Sequence, residues 1–329
     1  MLFCARPVLV VSLFFTIFCP AALSQQVAPA VDRAAVDQTI REAMRIGTRS
    51  TRSQAAQLSP SQQQEINLLD REFGVQQVQG IVTPKPPAYL LMLESSGFYT
   101  SNAALSAVGA RSDWVARPGL RAAWVPQITE RWSLLAMSYY SLWRYEELQQ
   151  INFDDFGAQA WLQYQIGRND LPGALSRFTG WGGYRYQRLT SPWNWGNLLY
   201  DNHFVEIGGR AAWSPLSRVS VWLGGNAAVS VAGAPTLLRR HEFSVQSGAL
   251  WQLTPRLRFT ALYRLALFDY VDVSRHDLNH LFFLGVGCQI MKNLRTDLFV
   301  NGVLNRSSGS PFSYNALNTG LSLQISQTW

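Results

Sequence analysis

From Tyr89 onward the apolar residues of this chain recur with a period of two. In the last segment Leu317, Thr319, Leu321, Leu323, Ile325 and Trp329 fall on one side, with Gln327 the interruption. Asn318, Gly320, Ser322, Gln324, Ser326 and Thr328 fall on the other. Successive strand side chains point to opposite faces, so this segment is a strand with one apolar face and one small or polar face. Phe156, Ala158, Ala160, Leu162, Tyr164 and Ile166 oppose Asp155, Gln159, Gln163 and Gln165 in the same way. Val219, Val221, Leu223, Ala227, Val229 and Val231 oppose Ser220, Gly224, Asn226 and Ser230, and similar segments run near 257–267 and 278–290. The stretch from about 131 to 146 carries apolar residues on both faces. Short links near 126–128, 214–216, 254–255 and 292–293 alternate with longer ones near 106–113, 190–201, 232–239, 271–276 and 306–313. The pattern predicts an all-β fold: a closed antiparallel transmembrane β-barrel of about 12 strands over 88–329, with short periplasmic turns and longer external loops.

A soluble sandwich also alternates, but its polar face meets bulk water and should be rich in lysine and glutamate. Lys85 and Lys292 are the only lysines, and charged residues make up 15% of the chain, against about 25% in ordinary soluble domains. Mean hydropathy is close to zero, as expected where one face of each strand meets lipid and the other water. Trp124, Trp132, Trp213, Trp251 and Trp329 stand beside the short links or the C-terminus, while Trp143, Tyr145, Tyr184, Tyr186, Tyr270 and Tyr314 stand toward the opposite ends. Aromatic rings partition to the headgroup zone, so the two sets predict girdles at both interfaces.

Before residue 88 the pattern differs. Arg6 is followed by the apolar run 8–18 and by small residues at Ala22-Leu23-Ser24, which predicts a signal peptide over 1–24. Over 25–87 the spacing turns helical: Val36, Ile40 and Met44, then Ile66, Leu69 and Phe73 behind Ser59-Pro60, where serine caps and proline opens a helix. These stripes are thin. The segment is either a periplasmic arm that docks on a partner protein or plugs the lumen, or a partly ordered extension. Pro84-Lys85-Pro86-Pro87 marks its end. Cys4 and Cys19 leave with the leader and Cys288 stands alone, so no disulfide and no cysteine metal site is expected. The net charge is +7, but the arginines are spread at strand spacing rather than clustered, which sets nucleic acid aside.

The closing Leu321-Ser-Leu-Gln-Ile-Ser-Gln-Thr-Trp329 resembles the terminal strand of Gram-negative outer-membrane barrels, which the barrel-assembly machinery reads. Leader, helical preamble and barrel together resemble the broad group of β-barrel porins. They are similar in layout to the barrels of exopolysaccharide export and of surface-lipoprotein assembly. Asn305-Arg-Ser-Ser308, Tyr314-Asn315, Tyr263-Arg264 and Arg275-His-Asp277 are similar to recurrent features of that group. The resemblance implies an outer-membrane location amid lipid, a periplasmic N-terminal segment, and passage or export without a cofactor. It carries over no catalytic residue.

The face assignment points Arg117, Arg121, Arg144, Arg185, Arg210, Arg256, Arg258, Arg264 and Arg295 into the lumen, with Glu94, Glu146, Asp155, Glu206, Glu242 and Asp297 as fewer acidic companions. Arginine stays charged and binds carboxylate or phosphate, so such a lumen favours anions: a channel or export conduit for acidic solutes or saccharides. Alternatively, the Arg–Glu pairs fill a narrow, non-conducting barrel that serves structure or export assembly. Trp193 and Trp195, in the expected loop 191–200, could stack on sugars, fold inward or rest at the lipid boundary. Ser274, His276, Asp277 and His280 raise a lipid hydrolase, yet alternation sends the histidines to the lipid face and Asp277 to the other. A nucleophile needs its base within hydrogen-bond reach. Asp154-Asp155 and Asp201-Asn202-His203 offer too few oxygens for a calcium site, and no metal is expected.

Overall fold

The computed structural model describes residues 89–167, 171 and 175–329. The expected leader over 1–24 and the helical segment over 25–87 lie outside the described residues. The strands are β1 (Tyr89–Thr100), β2 (Asp113–Trp124), β3 (Trp132–Tyr145), β4 (Phe153–Gly167), β5 (Leu175–Ser191), β6 (Asn194–Leu216), β7 (Val219–Ala234), β8 (Arg240–Gln252), β9 (Leu257–Tyr270), β10 (His276–Met291), β11 (Leu294–Ser307) and β12 (Tyr314–Thr328). Each pairs antiparallel with its neighbour in the chain. The meander closes through β1 and β12, with Glu94 opposite Gln324 and Gly97 opposite Leu321. Closure leaves no sheet edge, so the backbone groups find partners within the wall, as hydrocarbon requires.

The two-residue period becomes the inside and the outside of this wall. On β12, Leu317, Leu321, Leu323 and Ile325 are exposed while Asn318, Ser322 and Gln324 are buried. Leu93, Leu120, Leu162, Val205, Leu223, Val245, Leu267, Leu284 and Leu298 continue the exposed set around the circumference. A soluble monomer rarely exposes a contiguous apolar patch larger than about 600 Å². A belt around the whole barrel is therefore a lipid face. Among the described residues no helix is long and apolar enough to cross a membrane, and the crossing is made by strands.

Trp124, Trp132, Trp251 and Trp329 project outward and exposed at one end of the barrel, with Trp213 half-buried on the same face. Trp132 packs on Tyr164 with centroids 4.8 Å apart, and Tyr89 stacks on Trp329 at 6.4 Å. At the opposite end Tyr184 and Tyr186 also face outward, joined by Tyr99, Trp114 and Tyr140. Trp143, Tyr145, Tyr270 and Tyr314, expected in that girdle, point into the barrel and are buried. The outer part of the lumen holds an apolar cluster of its own, so an aromatic residue near a strand's outer end fits either side.

The long link expected at 190–201 is instead paired strand. β5 runs to Ser191, β6 begins at Asn194, and Ser191 pairs with Asn194 across the turn at Pro192-Trp193. Trp193 takes a left-handed φ of 57° there. The remaining outer connections are 101–112, 146–152, 235–239, 271–275 and 308–313. The contrast between short and long links is therefore weaker than the sequence suggested.

Candidate functional site: the lumen and its outer cap

Arg117 and Arg121 on β2, Arg185 on β5, Arg210 on β6, Arg258 and Arg264 on β9 and Arg295 on β11 lie on the lumen face. Glu94, Asp155, Glu206, Glu242 and Asp297 share that face. Two of the expected arginines do not. Arg144 alternates with Trp143 and stands on the outer wall, donating to the carbonyls of Trp143 (3.0 Å) and Phe153 (2.9 Å) and pairing with Asp154 at 2.5 Å. At the outer rim the wall leaves the hydrocarbon, so an outward arginine with a carboxylate beside it costs little. Arg256 lies exposed in the turn 253–256, short of the lumen. Glu146 is exposed just past β3. Sequence reasoning missed Arg240 and Arg275, both buried on the lumen side. The parity of Glu242 along β8 signals the first, and the alternation that turned Asp277 inward signals the second.

The inward charges are organised in groups. Arg185 lies between Glu206 (Nε to Oε2, 3.1 Å) and Glu242 (Nη2 to Oε2, 2.7 Å), and the other oxygen of Glu242 accepts from Arg240 Nε at 3.1 Å. Aromatic rings support the cations: Arg185 sits 4.0 Å from the Phe204 centroid and Arg240 3.8 Å from that of Phe268. Arg275 chelates Asp277 and is held between the rings of Tyr270 (4.2 Å) and Phe312 (3.6 Å). Nearby, Asn279 accepts from Arg264 at 3.2 Å and donates to Asn305 at 3.1 Å. Across the barrel Glu94 stands between Arg117 (4.0 Å) and Arg121 (3.7 Å). Toward the turn end of β11, Arg295 pairs with Asp297. Planar guanidinium groups suit this, since they stack on rings while bonding carboxylates in their own plane.

Over these groups the outer loops fold inward. Ala103 from 101–112, Leu148 from 146–152 and Leu238 from 235–239 are buried against Phe98, Val115, Trp143, Tyr145, Phe153, Leu189 and Tyr200, with Ile151 and Phe312 packed alongside. Asp113, at the start of β2, accepts from the backbone N–H of Leu148 at 2.8 Å and ties that loop down. Asn102 donates to the carbonyl of Asn315 at 3.0 Å and ties the first loop to β12. The outer mouth is thus closed by an apolar cap. Below it Arg121, Arg185, Arg258, Arg264 and Arg295 are each less than 10% exposed, so the wall's own side chains fill the lumen.

Trp193 and Trp195 lie outside the mouth. The β5–β6 turn folds down on the outer wall, where Trp195 stacks on Tyr140 at 5.4 Å and meets Phe156 edge-on at 5.9 Å. The backbone N–H of Trp193 donates to Asp154 at 3.0 Å, and Arg144 lies 5.0 Å from its ring. The wall also divides Ser274, His276, Asp277 and His280. His276 is on the outer face against Asp269 (2.8 Å), His280 on that face against the Tyr263 hydroxyl (2.9 Å), and Asp277 is inside on Arg275. The two histidines and Asp277 therefore stand on opposite sides of the wall. Among the described residues no group of three or more His, Cys, Asp or Glu is placed to hold a metal ion.

No family model matches the chain, and no curated protein does. Among solved structures it is similar to an outer-membrane channel from Pseudomonas putida F1, with a TM-score of 0.51 and 13% identity over 74% of this chain and 97% of that one. Outer membrane phospholipase A from Escherichia coli (TM-score 0.46, 10% identity, 71% of this chain and 92% of that one) and the KdgM porin (0.36, 10%, 70% and 97%) are similar at lower scores. At these identities the likeness concerns the fold, and the fold is that of the outer-membrane β-barrels: a closed antiparallel wall of twelve strands with its apolar face turned to lipid.

Proposed function

We propose that this barrel is a conduit across the outer membrane for acidic solutes, with acidic saccharides as the best-fitting class, held shut here by the outer cap. The observation that carries the reading is the imbalance of fixed charge in the lumen. Arg117, Arg121, Arg185, Arg210, Arg240, Arg258, Arg264, Arg275 and Arg295 face inward against Glu94, Asp113, Asp155, Glu206, Glu242, Asp277 and Asp297. Arginine cannot shed its proton. A wall that only needed filling would match cations with carboxylates or use apolar side chains, because burying unmatched charge is costly. An excess of cations instead favours anions in the path. Trp193 and Trp195 lie outside that path and contribute to it only as contacts at the rim.

The test is a planar bilayer under a potassium chloride gradient. A conduit of this kind gives discrete steps with a reversal potential on the chloride side, more often once the cap is weakened by Leu148→Asp. The filled lumen favours a second reading, a non-conducting barrel that serves export assembly. It expects silent bilayers from both proteins. In that reading residues 25–87 recruit a periplasmic partner, and deleting them abolishes secretion while the barrel still inserts.

A further inference from the structure

We propose a binding site for a hydroxy acid, a small molecule carrying both a carboxylate and hydroxyls as a uronate sugar does, on the lumen face of β10, β11 and β12 around Arg295. It rests on the conduit reading, since a solute reaches Arg295 only from inside the barrel. Arg295, Asp297 and Ser322 are each at most 5% exposed, and register places Asp297 opposite both Ser322 and Gly287. Arg295 gives one nitrogen to Asp297. Its Nε and Nη1, the second oxygen of Asp297 and the hydroxyl oxygen of Ser322 have no hydrogen-bond partner within the protein. Buried polar groups are nearly always satisfied. Here two cationic donors, one hydroxyl and one carboxylate acceptor converge on one strip of wall.

Gly287 is the floor of that strip. A Cβ there would collide with the Asp297 carboxylate and come within 3.2 Å of Arg295 Nε and Nη2. On its other side Gly287 pairs with Arg258, so a second buried guanidinium flanks the same spot. The unpartnered donors belong to a single guanidinium, that of Arg295, which suits a monoanion. A phosphate dianion would overcompensate and lie against Asp297. The free donors of Arg295 fit a carboxylate by charge-assisted hydrogen bonds. The free oxygen of Asp297 needs a donor, which a ligand hydroxyl supplies and an inorganic anion such as chloride does not. Phe283 and Phe299, ring centroids 6.3 Å apart, are packed into the interior just outward of the strip and bound it on that side. Gln289 and Ser326, toward the turn ends of the strands, are partly exposed. Entry is therefore from the side away from the cap, which makes this the first station for a solute leaving the periplasm.

The experiment is calorimetric titration of the full-length protein in detergent with sodium glucuronate, glucose and potassium phosphate. Glucuronate binds, and glucose and phosphate bind at least about tenfold more weakly. Arg295→Gln lowers glucuronate affinity about tenfold or more, the scale of a lost hydrogen bond to a charged group. Ser322→Ala lowers it severalfold. Arg295→Lys, which keeps the charge but not the donor arrangement, also weakens binding and serves if Arg295→Gln fails to give the heat-modifiable folded band. Wild-type protein that ignores glucuronate, phosphate that binds as tightly, or folded Arg295 variants with unchanged affinity would each overturn the proposal. Bilayer recordings on the same preparations separate the two readings. Anion-selective steps without glucuronate binding reject the site and keep the conduit; binding with silent bilayers rejects the conduit and keeps the site.

Discussion

Replacing Glu242 by glutamine keeps the shape of the side chain and removes one charge from the middle of the lumen. Both carboxylate oxygens are engaged, one by Arg185 at 2.7 Å and the other by Arg240 at 3.1 Å, and the three side chains are 12%, 6% and 1% exposed. After the change Glu206 remains as the carboxylate bonded to Arg185. Breaking a buried pair by removing one partner costs about 3–5 kcal/mol, because the surviving charge stays buried without compensation. Here two cations lose a partner, but Arg185 keeps Glu206 and Arg240 keeps the Tyr270 hydroxyl at 3.2 Å, which argues for the lower half of that range. The rings of Phe204 and Phe268 remain beneath them, and cation–π contacts of about 1–2 kcal/mol each are already present in both proteins. They do not rescue the variant. The assay is equilibrium urea unfolding in mixed micelles, read by tryptophan fluorescence and by the heat-modifiable band. A built-in control is Asp272→Asn. Asp272 meets Arg239 at 3.8 Å with side chains 38% and 21% exposed, and an exposed pair contributes about 0–1 kcal/mol. The two substitutions remove the same charge at different depths. Losses that agree within about 0.5 kcal/mol would refute the claim that Glu242, Arg185 and Arg240 form a buried, tightly paired group.

Other outcomes follow from the same geometry. Val300→Arg, on the lipid face near the middle of β11, should destabilise the barrel in bilayers by about 2–4 kcal/mol, the midplane cost of an arginine, measured by the same unfolding curves. Leu148→Asp should raise the frequency of bilayer openings without changing their anion preference, because it touches the cap and none of the lumen arginines. Gly183→Val should fail to give the folded band: a Cβ at that position collides with the Ala160 carbonyl and sits 2.8 Å from Trp161 Cα, both backbone positions of the adjoining strand.

The wall was legible because each strand separates lipid from interior, and that separation imposes a two-residue period whatever the fold's details. Arginine placement was legible for the same reason wherever a strand lies at membrane depth, as for Arg185, Arg258 and Arg295. It failed at the ends. Arg144 was sent inward on the premise that a charge avoids the outer face, but at the rim Asp154 on the neighbouring strand satisfies it. The parity of β3 was hidden because Leu135, Met137 and Trp143 inside are as apolar as Leu134, Ala136 and Leu142 outside. The segment 191–200 reads as a loop since Pro, Asn and Gly surround two tryptophans, whereas Ser191 pairs with Asn194 across a two-residue turn that lacks the usual Asn-Gly signal. Apolar residues in the outer links were the unread signal. Leu148, Ile151 and Leu238 have no reason to sit in an external loop unless something buries them.

That cap sets the terms for any passage. Burying an aliphatic side chain contributes about 1.5–3 kcal/mol, so Leu148 and Leu238 together favour the closed mouth by roughly 3–6 kcal/mol before ordering costs are subtracted. Each loop is also pinned by polar ties at strand ends. Asp113 holds the Leu148 N–H, and Asp201 accepts from the Ala234 N–H at 2.7 Å beside the loop that carries Leu238. These ties and contacts belong to loops, whereas the wall is one continuous hydrogen-bonded ladder. Uncapping the mouth therefore needs loop rotation and no strand separation, and a path below it needs the lumen side chains to move aside. At a factor of ten per 1.4 kcal/mol, a net preference of a few kcal/mol leaves the open form populated on the order of one part in a hundred to one part in ten thousand. On the conduit reading, conduction occurs in rare openings, and those openings become commoner when the cap is weakened. A barrel whose arginines only filled space would have its interior collapse onto the same contacts with or without Leu148.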